Sequence, residues 1–155
     1  MSCIATVEGF FVSGEYVAKE LTILFSVTDY QHFMFDCPVS LILSPRDQCT
    51  TRYAQNLNGL VLSDNCFLPY NIIGYILSKI QNYRIYTAGN QAKGLLSSYL
   101  PKTEVIDICQ MYNFKYPLDL QDTPCFVRHP SRYCSLSKAF TLKTAIQILQ
   151  IDQSR

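Results

Sequence analysis

The sequence predicts an α/β fold built on a mixed five-stranded sheet, three antiparallel strands first, with helices on both faces. Three observations carry this prediction. The first forty residues are rich in β-branched and aromatic types and are interrupted only by short turns, which implies hairpins. Apolar residues recur at helical spacing over residues 68–80 and again from Ser135 to Leu149. Two short β-like runs, at 84–88 and 105–109, lie between those helices, so the antiparallel start feeds a mixed sheet.

Taken in order, strands are predicted over 4–12, 16–25 and 32–37, broken by Ser13-Gly14 and Thr28-Asp29. Ser44 is placed to cap a polar helix over 45–55, with Pro45 at its first position. Residues 56–59 end that helix. Leu68, Ile72, Ile73, Ile76, Leu77 and Ile80 then share one face of a helix over 68–80, the pattern of a helix packed on a sheet. The strand at 84–88 turns at Gly89-Asn90 into a helix over 91–100, which Pro101 stops. A strand over 105–109 follows. Residues 110–132 carry Pro117, Pro124 and Pro130 with no sustained period and read as an irregular connection that needs an anchor. A final helix begins near Ser135 and presents Ala139, Leu142, Ala145, Ile146 and Leu149.

With 155 residues, 48% of them hydrophobic and 16% charged, the chain is long enough for one domain over 1–155 with a sizeable core. No apolar run approaches the roughly 20 residues of a membrane helix. The first ten residues have no basic segment followed by an apolar one, and no Asn-x-Ser/Thr site occurs. Seven cysteines without regular spacing argue for reduced thiols, some of them on a metal. These features predict a soluble intracellular protein, cytoplasmic or nuclear, with no membrane partner. The net charge of +1 hides an asymmetry: residues 1–70 carry −4 and residues 71–155 carry +5, so a polyanion would meet the second half.

The chemistry is concentrated in Cys125, His129 and Cys134, with gaps of three and four residues just before the final helix. Thiolate and imidazole are ligands that Zn²⁺ prefers, and a structural site takes four in a tetrahedron. Two other readings stand beside the metal: buried core thiols with a loop histidine, and a Cys/His nucleophile pair using His129 as base. The spacing favours the metal. The remaining cysteines and His32 read as structural, and Glu8 has Lys19 on the neighbouring strand as an ordinary partner.

The element order resembles the ribonuclease H-like fold, and within it the exonucleases that carry four acidic residues. In that family the first strand carries Asp-x-Glu, where this chain has Thr6-Val7-Glu8. The second acid follows a Gly-(His/Asn)-Asn-like turn, but the matching stretch here runs Gly89-Asn90-Gln91-Ala92-Lys93-Gly94. Near the last acid stand Cys134 and Lys138. Two-metal hydrolysis needs several carboxylates converging on ions about 4 Å apart, and Glu8 alone does not supply them. The resemblance therefore implies a catalytically degenerate exonuclease rather than an enzyme.

A Glu-Cys-His-Cys set on such a fold, with Val7-Glu8-Gly9-Phe10, Lys19-Glu20-Leu21 and the Ser-Leu-Ser-Lys-Ala-Phe run after Cys134, is similar to the Maelstrom domain of germline small-RNA silencing. That resemblance implies a structural Zn²⁺ on Glu8, Cys125, His129 and Cys134, the first strand lying beside the start of the last helix. The function it implies is binding of single-stranded RNA, in RNA silencing or a viral or mobile-element setting. Arg84, Lys93, Lys115, Arg128, Arg132 and Lys138 would contact phosphates, and Tyr112, Phe114 or Tyr133 would stack on bases. Two alternatives remain: a ribonuclease that cuts RNA without two-metal chemistry, and a protein-interaction module acting on silencing or defence proteins.

Overall fold

The computed structural model describes residues 1–12, 14–36, 45, 46, 48, 49, 52, 67–117, 120 and 133–149. The strands among them are β1 (Ser2–Val12), β2 (Glu15–Ser26), β3 (Asp29–Asp36), β4 (Leu68–Pro69), β5 (Arg84–Thr87) and β6 (Val105–Asp107). The helices are α1 (Ile73–Ser78), α2 (Asn90–Tyr99), α3 (Ile108–Tyr112) and α4 (Ser135–Ile148), and a 3₁₀ turn, Tyr70–Ile72, leads into α1. The strands form one sheet in the order β4-β3-β2-β1-β5-β6. Pairs β1–β2 and β2–β3 are antiparallel, whereas β1–β5, β5–β6 and β3–β4 are parallel.

The α/β class and the antiparallel start match the sequence reading, and the sheet has six strands rather than five. The extra one is β4. Leu68 and Pro69 extend the edge beside Phe35 and Asp36 instead of opening a helix. Proline explains the difference: its fixed φ and its clash with the preceding residue favour extended chain at Leu68, and helical geometry starts only after it. The connection after 105–109 also differs, because Ile108 and Cys109 begin α3. Asp107 makes that change by capping the helix, its Oδ1 accepting from the Cys109 amide at 3.0 Å. Of the helix expected over 45–55, Pro45, Arg46, Gln48, Cys49 and Arg52 are described and helical.

Alternation along the strands builds two cores. Cys3, Ala5, Val7, Leu21, Ile23 and Ile85 face one side and pack on Ile73 and Leu77 of α1 and on Ala92 and Leu96 of α2. Ile4, Leu24 and Tyr86 face the other and pack on Ile108, Ala139, Leu142 and Ile146, so α4 covers the second face. No helix among the described residues is long and apolar enough to cross a membrane.

A bulge at Glu8/Gly9 shifts the β1–β2 register, so that Glu8 opposes Glu20 while Gly9 opposes Ala18. Lys19 is the residue left over. It is buried, and its ammonium sits 4.2 Å from the Phe67 ring centroid. The bulge brings backbone against backbone: a Cβ on Gly9 would stand 2.0 Å from the Val17 carbonyl oxygen. Gly9→Ala therefore requires the hairpin to shift. It should lower unfolding free energy by about 2 kcal/mol or more in urea titration, and an unchanged midpoint would show that the bulge tolerates a side chain.

Candidate site at the seam between the sheet and the last helix

Three strands present polar residues to the start of α4. By alternation Thr6 and Glu8 of β1, Glu20 and Thr22 of β2, and His32 of β3 face the same side as Ile4 and Leu24. Thr6 and Thr22 are cross-strand partners, as are Glu8 and Glu20. All four are buried.

Ser135, the first residue of α4, is held by three of them. Its amide donates to Glu20 Oε1, its carbonyl oxygen accepts from Thr6 Oγ1 at 2.6 Å, and its hydroxyl lies 2.7 Å from Thr22 Oγ1. Glu20 thus acts as a helix cap supplied by another element, satisfying an N–H that α4 leaves open and placing a carboxylate at the positive end of its dipole. The other oxygen, Glu20 Oε2, lies 2.8 Å from His32 Nε2 and 3.9 Å from the Cys134 thiol. One turn along α4, Lys138 Nζ donates to Glu8 Oε1 and stands 5.5 Å from the centre of the Tyr116 ring. Burial pushes the Tyr116 phenol well above its ordinary range, with Cys109, Glu8 and Asp107 adding to the rise. Burial, then the charges of Glu8, Tyr70 and Glu20, does the same for Tyr16.

Asp107 closes the far side. Its Oδ1 accepts from the Gly89 amide at 2.9 Å as well as from Cys109, tying the end of β6 to the turn that enters α2. Gly89 has φ +108°, a conformation open to glycine and costly for other residues.

The expected zinc set is brought together only in part. Cys125 and His129 lie outside the described residues. Cys134 is buried, forms no disulfide and faces Glu20, whereas Glu8 gives its carboxylate to Lys138. One Glu8 oxygen, Oε1, is taken by Lys138. The carboxylate oxygen that lies 3.9 Å from Cys134 Sγ, Glu20 Oε2, is also 2.8 Å from His32 Nε2. Among the described residues no group of three or more His, Cys, Asp or Glu side chains converges as a metal requires.

The six expected phosphate contacts also separate. Lys93 is half-buried in the first turn of α2, Lys115 is exposed after α3, and Lys138 is bound to Glu8. All three belong to the end of the sheet where β1, β5 and β6 finish. Arg84 opposes Ser2 at the other end, about 20 Å from Glu8 at 3.3 Å per residue, and pairs with Glu104. Arg128 and Arg132 lie outside the described residues. Of the expected stacking residues, Phe114 packs edge-on to Tyr116 at 5.2 Å, while Tyr112 is exposed.

Sequence reasoning missed Glu20, His32 and Asp107 as members of this network. Glu20 carried a partial signal, an acid in the middle of a predicted strand, but the facing acid comes only with the register. No family model matches this chain, and no curated protein or solved structure is significantly similar to it.

Lys138 neutralises one of two facing carboxylates, so its removal leaves Glu8 buried and uncompensated. Lys138→Met should cost on the order of 2 kcal/mol, below the usual 3–5 for a fully buried pair because the lysine is partly exposed. Adding Glu8→Gln should restore most of that stability in the same urea titration. A Lys138→Met protein as stable as the parent would show that the pair is not what seats α4.

Proposed function

We propose that this chain is a catalytically degenerate exonuclease-like domain of ribonuclease H-like fold that binds single-stranded RNA. The observation that carries the reading is the Lys138 ammonium on the Glu8 carboxylate. At the point where β1 meets the last helix, a two-metal nuclease needs converging acids; here a lysine and two threonines stand with Glu8, and the second acid, Glu20, is spent on the helix backbone and His32. Three antiparallel strands feeding parallel ones, with helices on both faces, is the layout this reading expects.

RNA would lie across the finishing ends of β1, β5 and β6, the general location of ligands in open α/β sheets. Lys93 and Lys115 are the cations there that the seam does not use. A Lys93→Glu/Lys115→Glu protein should bind a labelled single-stranded RNA on the order of tenfold more weakly. It should also lower the slope of log affinity against log salt by about 0.7 for each phosphate that is no longer neutralised. Equal affinity and slope would overturn the reading, and cleavage of the RNA by the parent protein would move it to the ribonuclease alternative.

Zinc belongs to this proposal as a structural ion that Glu8, Cys125, His129 and Cys134 would hold. Such an ion would tie the long connection to the sheet and contribute folding free energy directly. Native mass spectrometry of freshly purified protein should give one zinc per chain, weakened in Cys134→Ala and in Glu8→Ala. A metal-free parent protein would remove zinc from the proposal, and zinc kept in full by Glu8→Ala would remove Glu8 from the ligand set.

A further inference from the structure

A cavity lies on the sheet face that α2 covers, opposite α4, where the β1–β2 hairpin ends. It encloses about 670 Å³ between the hairpin and α2, within the range of ligand sites. Four aromatic rings line it: Phe11, Tyr16, Tyr70 and Tyr99. The Phe11 and Tyr16 rings meet edge to face at 5.3 Å and 74°, forming one corner, and Phe11 and Tyr99 remain 44% and 37% exposed. Tyr16 and Tyr70 pack against the core beneath the groove, while Phe11 and Tyr99 keep exposed surface at its rim.

The groove's charge is of one sign. Glu15 lines it and, among the described residues, no lysine or arginine does. The carboxylate of Glu15 is exposed and has no ion-pair or hydrogen-bond partner among the described residues. The α2 residues that reach the groove occupy positions 90, 91, 94, 95, 98 and 99, one face of the helix. Lys93 falls on the opposite face at 100° per residue. The field of Glu8 and Glu20 extends to the same wall, where it adds to the rise of the Tyr16 phenol that burial causes. An RNA phosphate would be repelled here. A neutral base would stack while leaving the Glu15 charge without a counter-ion.

We propose that this groove binds the guanidinium group of an arginine side chain presented by a protein partner. A cation is attracted to the faces of aromatic rings. Guanidinium adds a planar surface that stacks on them and a fork of donors that matches a carboxylate, which an ammonium lacks. The volume exceeds one side chain, leaving room for flanking backbone beside Asn90 and Ser98. The groove lies on the opposite face of α2 from Lys93 and carries the opposite charge, so the two proposals stand or fall separately.

The test is a titration of the intact chain with acetyl-Gly-Arg-Gly-amide, followed by backbone amide chemical shifts. Saturable shifts confined to residues 11–17 and 90–99 are expected. The citrulline analogue, equal in shape and uncharged, should bind at least tenfold more weakly. Phe11→Ala and Glu15→Gln each alter an exposed side chain and should weaken binding at least fivefold, with the rest of the spectrum unchanged. Equal binding of the citrulline peptide, no saturable shift at millimolar peptide, or a larger effect from uridine monophosphate would overturn the proposal. Tighter binding of free L-arginine than of the peptide would overturn a protein as the source.

Discussion

The structure depends on how two buried carboxylates are neutralised. Glu8 and Glu20 stand directly across from each other in the β1–β2 ladder, and like charges in that position repel in any sheet. Burial makes the repulsion worse by removing the water that would screen it. The sheet does not resolve this with its own strands alone. His32 on β3 reaches Glu20, and the rest of the compensation comes from α4: the Ser135 amide for Glu20 and the Lys138 ammonium for Glu8. Docking of α4 is thereby linked to the charge state of β1 and β2, across more than a hundred residues of chain. Apolar contacts of Ala139, Leu142 and Ile146 supply burial along the helix, but they carry no information about its register. The polar layer does, because sliding α4 by one residue would strip both acids of their partners.

The same layer decides what chemistry the seam can support. A hydrolytic site needs carboxylates that are free to hold cations and exposed enough to meet a substrate. Glu20 is fully buried with both oxygens in use, Asp107 is buried and accepts from two backbone amides, and Glu8 already has a cation supplied by the chain. Ser135 has its amide, carbonyl and hydroxyl all engaged and no exposed surface. A geometry of this kind fixes structure. Its charges are balanced by groups that belong to the chain itself.

Much of this was legible in the sequence because the elements concerned are long and periodic. Strands β1 to β3 and helices α2 and α4 follow from β-branched runs and apolar spacing, and these supply both faces of the core. The short elements were not, since two residues at β4 and five at α3 leave no period to read; a proline and a capping aspartate set them instead. Glu8 was singled out as a zinc ligand, with Lys19 as its ordinary alternative partner, but Lys138 on the last helix was not offered for it. The bulge at Gly9 was not legible either, because a one-residue insertion in a ladder leaves no pattern in a single sequence. Glu20 and His32 were hidden for the same reason: their roles come from pairing across three strands. Cys125 and His129 lie outside the described residues, so the clearest motif in the sequence rests on Cys134.

Charge separation along the chain becomes a separation in space, though not between halves. The cations Lys93, Lys115 and Lys138 gather where β1, β5 and β6 end, while Glu15 and the aromatic groove lie on the face that α2 covers. Lys93 joins the two regions: it sits on α2 with its side chain on the face turned away from the groove. One helix therefore divides a basic edge from an acidic, ring-lined hollow. At physiological salt the screening length is about 8 Å, short compared with the width of a domain. The two regions are then largely screened from one another, and a net charge of +1 is a poor guide to the potential at either.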